Sequence, residues 1–373
     1  MGKLGYARGV NSIREIAERR GPFAVVYMDA SHDTEDAAHQ LELRRRSISG
    51  RLREAGASAE MIALFDRAVA EGPPGRGRAG RVLIIDDHTV HADELLPEPP
   101  AREVVRVSPL PYLLPLLRHH EELVPHVVAV VDKVGCDLTV VDENGSVTER
   151  SVDQDPYPVH KTGGGAWAHR SMQQRVEETT RRTIDELAEQ VSTEAEQVHA
   201  EVIVVAGEVS ARNALHHALP EHGPTVVEVE AGARARGSDP GELESAVHRV
   251  VAEQARHDIE EVLDTVAAEI ARPEGLAVSG LDATAEALRM ARVDRLLIDP
   301  DRLGDRTVLV GADRAQVSVD LHAPAGWTGS TAPRQSCRAD EALPVAAILT
   351  GAEVIVTGGV PSEDGVAALV RHR

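Results

Sequence analysis

Met172, Val176, Thr180, Ile184, Leu187, Val191, Ala195 and Val198 recur at steps of three and four residues. That spacing is the period of one helix face, and it predicts a single amphipathic helix running to about Ala200. At about 1.5 Å per residue such a helix is roughly 45 Å long. An apolar stripe of that length needs another layer of structure to receive it. Three consecutive glycines, Gly163, Gly164 and Gly165, stand immediately before this pattern. Glycine accepts backbone angles closed to other residues, so a glycine run lets the chain approach a ligand closely. The helix N-terminus behind it offers free N–H groups and the positive end of a dipole, both suited to phosphate.

Local charge points the same way. Between His160 and Arg182 the cations Lys161, Arg170, Arg175, Arg181 and Arg182 outnumber the anions Glu177 and Glu178, in a chain of formal net charge −21. A basic tip on an acidic protein predicts one aimed contact with a polyanion. Taken alone, the same residues also describe a glycine-rich turn followed by a solvated helix. The overall charge argues against non-specific coating of nucleic acid, and no DNA partner is expected. No run approaches the ~20 apolar residues that span a bilayer, and the N-terminus lacks an apolar leader, so a soluble cytoplasmic protein without a membrane partner is expected. Cys136 and Cys337 lie far apart without metal-type spacing and are expected to be buried thiols in a reducing compartment.

The chain length predicts two or three domains. In the first segment, residues 1–124, Pro22–Met28 is predicted to be a buried strand and helices are predicted at about Thr34–Ala55 and Ala59–Ala70. Further strands are read at 81–86 and 103–107. In the middle segment, residues 125–274, three short strands with an Asn144–Gly145 hairpin turn precede the glycine loop and the long helix. Strand, helix (capped by Ser210), strand and a long acidic helix from Asp239 to Arg272 follow. This order describes an α/β layer on a mixed sheet. The last segment, residues 275–373, reads as a compact α/β unit that finishes as a helix at Asp364–Arg371.

The run Lys161–Arg182, KTGGGAWAHRSMQQRVEETTRR, resembles the central loop and helix of the archaeo-eukaryotic class-I release factor and Pelota superfamily. Release factors of that superfamily carry Gly-Gly-Gln, a small residue, an arginine soon after and a long basic helix. Here Gly164 and Gly165 match the glycines, Ala168 the small residue and Arg170 the arginine. The stretches EVIVVAG, GLDATAEALRMARVDRLLID and LPVAAILTGAEVIVTGG resemble the family's middle and third domains, so the resemblance covers nearly the whole chain. It implies a three-domain α/β fold with a mixed-sheet middle domain. Within the superfamily the sequence most resembles the Balon-like hibernation factors of actinobacteria.

One departure decides what the resemblance implies. Where release factors place glutamine, this chain has Ala166, or Gly165 in the neighbouring register. Alanine carries no group that could orient the water that attacks a peptidyl ester. Gln173 and Gln174 lie too far into the helix to replace it. Codon-reading motifs are also not evident in the first segment. The resemblance therefore implies a ribosome-binding factor without catalytic residues, monomeric when free, that occupies the A site of idle ribosomes with EF-Tu. The first domain would lie at the decoding region, the second at the peptidyl transferase centre, and the third would contact the GTPase. In this placement the loop Gly163–Ala166 approaches ribosomal RNA and Trp167 stacks on a base. His169 and Arg170 bind phosphate or stack, while Arg175, Arg181 and Arg182 track the backbone. Arg44, Arg45, Arg46, Arg51 and Arg53 of the first segment become candidate RNA contacts, although alone they read as a solvated helix face.

The alternative class is a peptidyl-tRNA hydrolase acting in rescue of stalled ribosomes, using backbone amides of the glycine loop and His169 as a base. A third is a non-catalytic scaffold in stress signalling. No cofactor and no metal are expected. Asp86, Asp87, His88 and His91 at a strand end could ligate a divalent ion, but a solvated loop is the simpler reading. The pairs His119–His120 and His216–His217 point apart on a helix. Asp299–Asp305 lacks the ligand spacing of a calcium loop and reads as a turn.

Overall fold

The computed structural model describes residues 13–372 apart from 35, 73–74, 76, 122, 133–134, 144, 154–165, 233–239 and 321–333; for 121, 153, 166–180 and 240 it describes the backbone. The first third runs α1 (Ile13–Glu18), β1 (Phe23–Asp29), α2 (Ala37–Glu54), α3 (Ala59–Glu71), β2 (Gly80–Ile85), β3 (Val90–Leu96), β4 (Val104–Ser108) and α4 (Leu114–Glu121). Its sheet has the order β3-β2-β1-β4 with antiparallel pairs throughout. The central strand β1 is covered on both faces, which explains its unbroken apolar run. Phe23, Val25 and Tyr27 enter one cluster, while Ala24, Val26 and Met28 meet Ile48 and Leu52 of α2 and Met61 and Phe65 of α3 in another.

Asp86, Asp87 and His88 lie in the expected loop, and strand β3 begins directly after it and takes in His91. Its sequence, VHADELL, looks polar because the strand lies at a sheet edge and pairs one of its charges inward. Asp93 holds the buried Arg81 of β2 through two bonds of 2.7 and 2.8 Å. His91 falls where the β2–β3 register shifts, is buried, and lies 2.6 Å from the Asp86 carboxylate.

The middle third comprises β5 (His126–Val131), β6 (Gly135–Val141), β7 (Val147–Asp153), α5 (Ala166–Gln197), β8 (Val202–Gly207), α6 (Val209–Ala218), β9 (Thr225–Glu228) and α7 (Pro240–Ala271). The sheet order is β7-β6-β5-β8-β9. The first three strands pair antiparallel, whereas β5, β8 and β9 run parallel, giving the mixed sheet expected from the element order. Helices α5 and α6 cover one face, and α7 covers the other through Val251 and Ala255. The expected cap of α6 is corrected: Glu208 occupies the cap position, and the Ser210 hydroxyl lies within the helix and bonds the Glu208 carboxylate at 2.8 Å.

The last third runs β10 (Ala277–Ser279), α8 (Leu281–Arg289), β11 (Val293–Ile298), α9 (Pro300–Leu303), β12 (Thr307–Val310), β13 (Val317–Ser318), β14 (Gln335–Arg338), α10 (Ala339–Leu349), β15 (Glu353–Val356) and β16 (Val366–Val370). Its sheets have the orders β10-β16-β11-β15 and β13-β12-β14. The helix expected at Asp364–Arg371 is instead β16, an inner strand. Two alanines lend Val366–Val370 a helical look. The strand is nevertheless sandwiched, with Val366 and Ala368 in one apolar cluster and Ala367 in another, and that packing overrides propensity. Asp299–Asp305 is not a plain turn: Asp299 caps the single turn of α9 by accepting from the Asp301 and Arg302 amides.

By contacts, residues from His120 to Asp258 form one compact unit, and the described residues from Ile13 to His119 and from Ile259 onward form the other. The first and last thirds share a core: Ile16, Phe23, Leu113 and Leu116 belong to the same buried cluster as Leu288, Leu296, Leu343 and Val345. A charged knot lies beside it. Arg106 of β4 reaches Asp340 at 3.1 Å and Glu341 at 3.2 Å on the first turn of α10, with its guanidinium 3.7 Å above the Tyr112 ring. Ser108 donates to Glu341, and Arg338 braces Asp340 at 2.9 Å. Burial raises the Glu341 carboxyl above the ordinary range, against the opposing pull of Ser108 and Arg106. Replacing Arg106 by methionine leaves two carboxylates with too few partners. The unfolding midpoint of this unit in urea should fall by the equivalent of about 3 kcal/mol or more; an unchanged midpoint would show that water replaces the guanidinium.

Candidate nucleic-acid interface

Helix α5 has 32 residues, or about 48 Å at the standard rise. Its described buried face starts at Thr183 and Ile184 and continues through Leu187, Ala188, Val191 and Ala195. These side chains pack on Val127, Ala129, Leu138 and Val140 of the sheet and on Ala211 and Leu215 of α6. The C-terminal half of the helix is thus fixed by the core, as its three- and four-residue spacing requires. Arg150 of β7 adds an ion pair to Glu194, a residue only 8% exposed. Sequence reasoning missed this pair; its signal was a basic residue on the same strand face as Thr148 and Val152, beneath a helix.

Gly163, Gly164 and Gly165 lie outside the described residues. Ala166 is the first residue of α5, and Trp167, His169, Arg170 and Arg175 follow along its backbone, their side chains outside the described set. Arg181 and Arg182 are exposed, the latter 3.1 Å from Glu186 one turn on. Beyond this point the exposed residues of α5 turn acidic, with Asp185, Glu186, Glu189 and Glu196 at the surface. The helix therefore runs from a basic N-terminal half to an acidic C-terminal half.

The arginines of α2 are arranged differently. Arg44 pairs with Asp29 at 3.2 Å and Glu103 at 3.0 Å, Arg51 with Glu103 at 3.0 Å, and Arg46 with Glu42 at 2.7 Å. Arg45 contacts both Glu42 and Asp66 of α3. Hydrogen bonds from Arg45 and Arg46 hold the Glu42 carboxyl down to about 2. Arg53 is exposed. An RNA contact through α2 would thus compete with carboxylates already in place, whereas among the described residues Arg182 meets Glu186 in a solvent-screened pair.

Among the described residues, no group of three or more His, Cys, Asp or Glu side chains could hold a metal ion. The Asp86 carboxylate is occupied by His91 and by the amides of His88 and Thr89. Cys136 and Cys337 are buried free thiols, with burial pushing Cys337 up to about 11. No described helix is long and apolar enough to cross a membrane.

With this architecture in view, the middle third can be placed among known proteins. Residues 125–272 match the model of Bacterial archaeo-eukaryotic release factor family 2, and the chain belongs to the bacterial archaeo-eukaryotic release factor-like superfamily. Over 363 residues it is 33% identical to the uncharacterized protein Rv2629 of Mycobacterium tuberculosis (strain H37Rv), covering 96% of each chain. Among solved structures it aligns with Pelota of Archaeoglobus fulgidus at 16% identity and a TM-score of 0.36, over 79% of this chain and 84% of that one. It aligns with the model of ribosome-bound archaeal Pelota and ABCE1 at 16% identity and a TM-score of 0.41, over 96% and 93%.

Two outcomes check this description. Leu187→Ala opens a cavity under the fixed half of α5 and should cost about 2–5 kcal/mol, read as lost amide protection along residues 183–197 in hydrogen exchange. The second concerns Glu201, at the foot of β8. Withdrawal from water, then a hydrogen bond with Asp258 and its charge, push the Glu201 carboxyl up from 4.5 to about 7. The folded state keeps a proton that the unfolded chain loses across that window, so this contribution to stability falls as pH rises through it. Glu201 lies at the surface, so solvent keeps the effect small. Glu201→Gln should flatten the difference in melting temperature between about pH 5 and pH 8 relative to the parent protein.

Proposed function

We propose that this protein is a cytoplasmic ribosome-binding factor that occupies the A site of idle ribosomes during hibernation, together with EF-Tu, and does not release peptide. The observation that carries this reading is the sequence at the start of α5. The glycine run is followed by Ala166 in place of a water-orienting glutamine, and then by a helix whose cations are grouped in its first half. Membership of the release factor-like superfamily supports a ribosomal partner. The rigid seat of residues 183–195 supports a helix that presents its far end as a fixed probe. The acidic remainder of the molecule confines attraction for RNA to that end. On this reading Trp167, His169, Arg170 and Arg175 contact ribosomal RNA beside the peptidyl transferase centre, with Arg181 and Arg182 following the backbone.

Co-sedimentation with tRNA-free ribosomes over a salt series, with and without EF-Tu–GDP, tests the proposal. Binding should be displaced by A-site tRNA and strengthened by EF-Tu–GDP. Arg170→Glu with Arg175→Glu should weaken it by roughly tenfold or more and reduce the salt slope by about two. Peptidyl-tRNA on the same ribosomes should remain intact. Unchanged affinity in the double variant would refute the placement, and peptide release by the parent protein that His169→Ala abolishes would identify a peptidyl-tRNA hydrolase instead.

A further inference from the structure

Among the described residues, the outer side of β7 is a free sheet edge. In the order β7-β6-β5-β8-β9 it pairs with β6 alone among the described residues. In an antiparallel pair every second residue of the edge strand turns its N–H and C=O outward. Beside this edge, between β7 and the C-terminal half of α5, runs a groove of about 620 Å³. Arg150 and Val152 line it from the strand, and Glu186, Glu189, Thr193 and Glu194 from the helix. Arg150 already shows how the groove is used: a cation on a strand reaches up to a carboxylate of α5.

We propose that the β7 edge and this groove take a basic, extended polypeptide segment of a partner protein, which adds to the sheet as a further strand. Strand addition supplies main-chain hydrogen bonds, and the pockets met by alternate side chains set specificity. Every second side chain of the added strand falls on the α5 face, where Glu186 and Glu189 are exposed. The preferred segment therefore carries lysine or arginine at alternate positions over the length of β7, which is seven residues. A nucleic acid is disfavoured here because the same carboxylates repel phosphate. A second copy of this chain is disfavoured by the strand itself. Antiparallel pairing about a two-fold axis centred on Glu149 or Arg150 sets like charges directly opposite each other. Any such pairing also brings two acidic grooves together. The groove shares the Arg182–Glu186 pair with the ribosomal reading, and the peptide test reads the groove in the absence of ribosomes.

The test is fluorescence anisotropy of the full-length protein with a labelled peptide of about ten residues, lysine alternating with threonine and valine. Controls are a peptide of the same composition with its lysines in one block, and peptides N-methylated at either alternate set of amides. The alternating peptide should bind. Glu186→Gln with Glu189→Gln, two exposed positions, should weaken it by about tenfold. N-methylation of one alternate set should abolish binding, while methylation of the other set should leave it intact. Equal binding of the blocked peptide, or insensitivity to N-methylation in both sets, would reduce the groove to a diffuse acidic surface and overturn the proposal. So would a concentration-dependent dimer in sedimentation equilibrium that dissolves on Arg150→Pro, since the edge would then belong to a second copy.

Discussion

The first and last thirds of this chain fold around one apolar cluster, and everything between must leave that body and return to it. Phe23 and Leu113 from one end pack with Leu296 and Leu343 from the other. The charged knot of Arg106, Asp340 and Glu341 fixes which surfaces meet. Apolar burial is non-directional, whereas a guanidinium shared between two carboxylates and stacked on Tyr112 accepts few alternatives. The middle third is thereby a closed excursion from His119 to Ile259, tied at both ends to the same unit.

Within that excursion, function divides along a single helix. The half of α5 after Thr183 is held by the sheet and by α6, and its exposed side is acidic. The half before it carries the grouped cations and begins at Ala166. A long helix passes positional precision from a packed end to a distant one because its hydrogen bonds close within the helix itself. On the two proposals made above, the same division would separate attraction for a polyanion at the start of one element from attraction for cations at its end. Ionic strength weakens an attraction that rests on solvent-exposed charge, as Arg181, Arg182, Glu186 and Glu189 are.

Much of this was legible in the residues. The stripe from Ile184 to Ala195 is periodic over several turns, and β1, β5 and β8 carry apolar runs rich in valine. The mixed sheet followed from the order of elements, and the superfamily from the glycine run and the stretches after it. The errors fall where tertiary contacts outweigh local sequence. Val366–Val370 contains two good helix formers but is buried on both faces. His91 was read with Asp86, Asp87 and His88 in a loop, yet it belongs to a strand, paired with Asp86 across a bulge and next but one to Asp93, which holds Arg81. The α2 arginines looked alike in sequence, and only the structure separates Arg53 from four that are engaged by carboxylates. Pairing of that kind depends on Asp29, Asp66 and Glu103, which no periodicity links to α2.

Helix α7 belongs to two cores at once. Val251 and Ala255 are buried against the middle sheet, while Val266, eleven residues past Ala255, is buried with Leu297, Ile355 and Ala367. Ile259, Val262 and Leu263 continue the same stripe between them. Each core therefore selects its residues from α7 by the same three- and four-residue spacing, although the layers that receive them come from different stretches of the chain. A charge placed at Val251 would destabilise the middle core, and one placed at Val266 the other, so the two stretches of one helix fail separately.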